Sequence, residues 1–230
     1  MGINLDIQVK KELIAYLSAY VTENKKENID AIIQNRTRYV TVVLEDLFHP
    51  HNASAVTRSA DCFGVQDVHL IEKRHTFSPT HSIAKGASKW VDFYKYKDTK
   101  SCYEKLKQQG YRIVATTPHK RAYSLSQVPI DQKVALVFGA EALGLTQEAL
   151  DLADDYLSIP MYGFTESFNV SVSAAICLYD ITQRLRHSDA TWKLSEQDLI
   201  DIKLNWIRSS VRASEALEKK FFEEKKGSLL

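Results

Sequence analysis

Hydrophobic positions recur at two different periods along the chain, and the change from one to the other lays out the fold. Residues 5–35 place Leu13, Tyr16, Leu17 and Tyr20 at three- and four-residue spacing, with no glycine or proline after Gly2, which predicts helix. From Tyr39 the chain becomes β-branched. Six short apolar runs then predict strands at 39–44, 67–71, 90–97, 111–116, 134–138 and 155–160. Between them lie a helix carrying Arg58 and Cys62 that ends at Gly64, one from Asp98 to Gly110, a short one in TQEALDLA, and one over 169–186. Strand and helix in alternation imply a largely parallel sheet with helices on both faces. A last helix opens at Ser195 in a capping-box pattern, with an apolar stripe through Ile200, Leu204, Ile207, Val211, Leu217 and Phe221. The expected organisation is an N-terminal helical extension (1–38), an αβ domain (39–186) and a C-terminal helical extension (187–230).

Composition narrows the class. The 230 residues are 44% apolar, 10% aromatic and 26% charged, enough for a substantial core. The longest apolar run, Val134 to Ala140, is far short of the roughly 20 residues that span a bilayer. The N-terminal stretch has no apolar segment of a signal peptide, and three widely spaced cysteines suit neither a disulfide scaffold nor a CxxC zinc site. A cytoplasmic, reduced protein with no membrane partner is expected. His49 and His51 lack further ligands at metal-binding spacing, so no metal is expected.

Net charge is only +1, but it is unevenly spread. Residues 72–123 hold twelve Lys or Arg against four acids, or +8; residues 124–180 hold one Lys against eight acids, or −7. The basic block also contains Trp90, Phe93, Tyr94, Tyr96, Tyr103 and Tyr111. Cations mixed with aromatics suit an RNA surface, with phosphates giving affinity and rings stacking on bases. The same pattern fits strand aromatics in a core with lysines on a solvated face.

Three clusters follow strands, where ligands sit in open αβ sheets. The first, His49-Pro-His-Asn52-Ala-Ser54, leads into the helix of Arg58; Asn52 suits an N-cap, and a half-buried Arg58 would seek an anion. The second, Gly139-Ala-Glu141-Ala-Leu-Gly144-Leu-Thr146, has phosphate-loop spacing, but Leu145 replaces the essential lysine, which removes a nucleotide hydrolase from consideration. The third runs from Ile159-Pro-Met161 through Ser167, an N-cap candidate, to Asn169. Its glycine and apolar residues suit a neutral ligand better than a phosphate.

Together the spacings Asn52…Arg58…Phe63-Gly64, Phe138-Gly139…Glu141…Gly144-Leu145 and Ile159-Pro-Met161…Gly163…Asn169-Val-Ser171 resemble the SpoU family of RNA ribose 2′-O-methyltransferases, in the SPOUT superfamily. The resemblance covers about residues 39–186 and leans toward the branch that modifies transfer RNA. It implies a six-stranded parallel sheet ending in a deep trefoil knot, a homodimer, and S-adenosylmethionine as methyl donor with S-adenosylhomocysteine as product. It assigns Asn52, Arg58, Glu141, Ser167 and Asn169 to catalysis, and Thr116, Gly139, Ile159, Met161 and Phe168 to the cofactor. The RNA partner is expected to be tRNA first and rRNA second. Lys73, Arg74, Lys85, Lys89, Lys120 and Arg121, from the basic block, are the expected phosphate contacts. A catalytically silent RNA-binding relative is the competing class.

Overall fold

The structure is a computed structural model that describes residues 5–47, 49–74, 86–118, 122–140 and 143–227, the side chains of 226 and 227 excepted. In chain order the elements are α1 (Ile7–Ser18), α2 (Glu23–Ile33), β1 (Val40–Glu45), α3 (Pro50–Cys62), β2 (Asp67–Ile71), β3 (Asp92–Tyr96) and α4 (Thr99–Gln108). There follow β4 (Tyr111–Thr116), β5 (Tyr123–Ser124), β6 (Lys133–Phe138), α5 (Gln147–Leu152), β7 (Asp155–Ser158), α6 (Val170–Arg186), α7 (Glu196–Ser210) and α8 (Ser214–Gly227).

The chain divides into two compact units, residues 37–192 and residues 1–36 with 193–230. The helical segments at the two ends, expected as separate extensions, thus fall in one unit, where α1 packs on α7 and α8 and α2 packs on α7. Leu13, Leu17, Ile29 and Ile33 are buried there, as are Ile200, Leu204 and Ile207 from the predicted stripe. Ion pairs Lys10–Asp201 at 2.6 Å and Lys203–Asp30 flank that packing. The N-terminal stretch is two helices rather than one: α1 is capped at Ala19 and Thr22, in extended conformation, starts α2.

In the larger unit all described strands are parallel, in the order β3-β2-β1-β6-β4-β7-β5. The sheet has seven strands where six were expected. The seventh is the two-residue β5, too short for a sequence pattern, which pairs at the edge with Leu157 and Ser158 of β7. Alternation along the central strands separates two cores. Val40, Val42 and Leu44 of β1 face one way with Leu136 and Phe138 of β6, and are covered by Val56, Ala60, Ala174, Leu178 and Ile181 of α3 and α6. Val43 faces the other way with Ala135 and Val137, under Cys102, Tyr103 and Leu106 of α4 and Ala149 of α5. Burial on both faces is why these strands read as continuous apolar runs. It leaves the carboxyl ends of the strands as the place where polar loops can gather.

On the α4 face, His69 of β2 is 3% exposed. Its ring stacks on Tyr94 at 4.9 Å, and its Nδ1 lies 3.1 Å from the Tyr96 hydroxyl. The Nε2 has no partner among the described residues. Burial pushes the His69 pKa down to about 4. The folded state therefore keeps this imidazole neutral, while the unfolded chain protonates it near pH 6.5. Stability tied to His69 is intact above about pH 6.5 and is lost as pH falls toward 4, by about 3 kcal/mol in all. His69→Phe should remove that slope, read from urea midpoints at pH 7 and pH 4.5. An unchanged slope would show that the ring is not held neutral.

Candidate functional site

A cavity of ≈ 130 Å³ opens where the carboxyl ends of β4, β6 and β7 meet the N-terminal end of α6. Thr116, Gly139, Ile159, Met161 and Phe168, the expected cofactor residues, all line it, and so does Ser167 from the expected catalytic set. Gly144, Leu157, Val170 and Ser173 line it too, without having been assigned from sequence. No charged side chain is among the described lining residues. Such a wall offers apolar surface with hydroxyl and backbone groups, which suits a largely neutral ligand such as a nucleoside. Thr116 is fixed by its hydroxyl, which donates to the Val137 carbonyl at 2.8 Å.

Two glycines shape the floor. A Cβ on Gly139 would sit 2.3–2.4 Å from the backbone of Gly144 and Leu145, so no side chain fits there. Gly144 takes φ +66°, and its N–H donates to the Ala140 carbonyl at 2.8 Å, closing the loop on itself. The phosphate-loop spacing noted in the sequence thus reflects a tight backbone crossing. Glu141, expected within this loop, lies outside the described residues.

The loop ends at Thr146, and here the structure adds a residue that the sequence analysis passed over. Glu45, the last residue of β1, has a side chain only 1% exposed. Its Oε2 accepts from the Thr146 N–H at 2.9 Å; its Oε1 accepts from the Thr146 and Thr99 hydroxyls at 2.7 Å each and from Lys73 Nζ at 3.1 Å. Burial raises the carboxyl pKa, but the hydrogen bonds from Thr146, Thr99 and Lys73 outweigh it, and the net displacement is downward. An unpaired buried carboxylate costs several kcal/mol, so this degree of satisfaction is what makes Glu45 tolerable. Its neighbour Asp46 adopts φ +49° and accepts from the Arg74 N–H and Nε at 2.8 and 2.9 Å. A single acid at the end of a β-strand gives no periodic signal, which is why composition did not expose it.

Asn52 and Asn169 come together across 117 residues, the Asn169 amide donating to Asn52 Oδ1 at 3.3 Å. Asn169 also caps α6, its Oδ1 accepting from the Ser171 N–H at 2.9 Å and the Ser171 hydroxyl at 2.6 Å. Ser167, expected as a possible cap, precedes the helix instead. Asn52 is likewise not the cap of α3: His49 holds that position and Pro50 follows, where a missing N–H costs nothing. Asn52 therefore sits inside the helix, six residues and about 600° before Arg58, so the two side chains leave different faces. Arg58 is exposed, not half-buried, and forms no hydrogen bond or ion pair with the described residues; it does not line the cavity. The driving force is packing, since α3 turns Val56, Thr57 and Ala60 to the sheet and leaves position 58 outward.

Of the expected RNA contacts, Lys73 is engaged by Glu45 and by Glu148 at 2.9 Å, and Arg74 by Asp46. Lys89 is exposed at the end of a short 3-10 turn (Ala87–Lys89). Lys85, Lys120 and Arg121 lie outside the described residues.

Residues 39–179 match the SpoU rRNA Methylase family. The chain is 41% identical over 207 residues to a tRNA (guanosine(18)-2′-O)-methyltransferase of Borreliella burgdorferi, covering 89% of this chain and 94% of that one. It is 34% identical over 166 residues to the protein of the same name from Thermus thermophilus, covering 72% and 86%. Its fold matches the crystal structure of the A. aeolicus TrmH/SpoU tRNA modifying enzyme with TM-score 0.75 and 28% identity, over 83% of this chain and 98% of that chain.

Gly139→Ala tests the floor of the cavity. With backbone on the far side at 2.3 Å, the loop must shift. The expected cost is about 1–3 kcal/mol, read as a lower urea midpoint. Wild-type stability in that variant would show that the loop does not cross so closely.

Proposed function

The chain belongs to the SpoU rRNA methylase family, and from that premise we propose that it transfers a methyl group from S-adenosylmethionine to a ribose 2′-hydroxyl of RNA, with guanosine 18 of transfer RNA as its target. The observation that carries this reading is the glycine-floored cavity beside the Asn52–Asn169 pair, uncharged among its described lining residues. The choice of tRNA follows the named activity of relatives that the chain matches over nearly their whole length. A ribosomal RNA target is the second reading, favoured by the description of the family itself.

The cavity fits the donor's chemistry. Met161, Ile159 and Phe168 supply apolar wall for an adenosine, and the Gly139 and Gly144 backbones can approach it without side chains between. When bound, S-adenosylmethionine supplies a methyl group already activated on a sulfonium. What remains for the chain is alignment, worth several kcal/mol of barrier, and help for a hydroxyl that is a poor nucleophile while protonated. A guanidinium is a cationic fork of N–H donors, so Arg58 stabilises negative charge developing on the sugar oxygen or holds the adjoining phosphate, and the hydroxyl proton leaves to that phosphate or to water. Its exposure and lack of partners among the described residues leave it available to an anion. Asn52 and Asn169 hold each other and the start of α6, and Ser167 shapes the rim.

The reading also includes the knot, the homodimer and a cytoplasmic site of action. Support for the knot is that the 122–130 segment is held against β7 and α6: Tyr123 pairs with Leu157, and Arg184 donates to the Val128 and Leu125 carbonyls at 2.8 and 3.0 Å. Support for a dimer is the exposed apolar series Tyr162, Phe164, Phe168, Val172 and Tyr179.

Arg58→Ala should lower methyl transfer by at least about a hundredfold, measured as tritium passed from labelled donor to bulk tRNA. Donor affinity by calorimetry should stay within a few-fold. Equal losses of binding and turnover would assign Arg58 to the cofactor instead. For the substrate surface, Lys89→Ala should reduce the slope of log K against log salt for tRNA binding by about one.

A further inference from the structure

We propose that Glu45 is a positioning residue that holds the far end of the Gly139–Thr146 loop, and so sets the shape of the cofactor cavity. The proposal rests on reading that cavity as the donor's. The near end of the loop follows Phe138, which pairs in register with Leu44 of β1. The far end is Thr146, which gives both its N–H and its hydroxyl to Glu45, the next residue of β1. Both ends of the loop thus hang from adjacent residues of one central strand. Between them the loop is closed by the Gly144 to Ala140 hydrogen bond, and Gly139 and Gly144 face the cavity. Thr146 also caps α5, its hydroxyl oxygen accepting from the Ala149 N–H at 3.2 Å. One hydroxyl therefore joins helix start, loop end and strand end.

Other groups steady the carboxylate from neighbouring elements. Thr99 approaches from the first turn of α4, and Lys73, just after β2, bridges Glu45 to Glu148 of α5. Glu45 lines no part of the cavity, so it acts through Thr146 and the backbone between. A carboxylate is needed because every neighbour is a donor. A glutamine would turn an amide N–H toward one of them and release it.

The test uses the full chain. Glu45→Gln should raise KM for S-adenosylmethionine about tenfold or more while KM for bulk tRNA stays within about twofold. Amide exchange in residues 139–146 should accelerate at least tenfold, with strand 134–137 still protected. Thr146→Val should reproduce both effects, and Thr146→Ser, which keeps the hydroxyl, should restore wild-type behaviour. If Glu45→Gln does not fold, the Thr146 pair decides. Unchanged loop exchange, or faster exchange spread evenly over the sheet, overturns the proposal. Should the wild-type protein take up no donor, the cofactor reading falls, while loop exchange still decides what Glu45 does.

Discussion

A carboxylate almost wholly shielded from water at the end of β1 is the constraint around which the functional end of the sheet is arranged. Glu45 has to be satisfied by donors, and the donors available are the first residue of α4, the N-cap of α5 and a lysine that follows β2. Meeting that demand brings the starts of α4 and α5 and the segment after β2 to one point, beside the loop on which the cavity is built. The cost of leaving such a group unpaired exceeds the worth of any single surface contact nearby, so local geometry follows the buried charge.

The parallel sheet makes this arrangement possible. With α3 and α6 on one face and α4 and α5 on the other, the central strands have no solvated side. Polar chemistry is confined to strand ends, and parallel strands deliver all their carboxyl ends to the same edge. Residues distant in sequence, from Thr116 through Gly139 to Ile159 and Phe168, then share one cavity because their strands β4, β6 and β7 are neighbours or next neighbours. Asn52 meets Asn169 for a related reason: α3 and α6 pack together on one face, with the N-terminal ends of both helices on the loop side.

Basic residues in the chain divide into two kinds. Lys73 and Arg74 sit in a basic stretch, yet each is committed to a buried acid, and their first role is to neutralise Glu45 and Asp46. Lys89 and Arg58 have no such commitment among the described residues and face outward. Sequence charge alone does not separate these classes, because the acids that capture Lys73 and Arg74 lie 28 residues upstream, at and just past the end of β1.

What the sequence by itself determined is what depends on local pattern. Strand and helix positions followed from apolar period and the parallel αβ class from their alternation, while the family resemblance pointed to Thr116 and to residues of the second and third motifs, which do line the cavity; the first motif does not reach it. Caps were read less well. Asn52 and Ser167 both resemble N-caps, and only the helix starts set by Pro50 and Asn169 showed that neither serves. The short β5, the outward turn of Arg58, the union of the terminal segments in one unit and the central place of Glu45 came from tertiary structure alone. Each is a matter of which distant group arrives beside which. Burial and hydrogen-bond satisfaction are properties of the packed chain, and no spacing along the sequence encodes them.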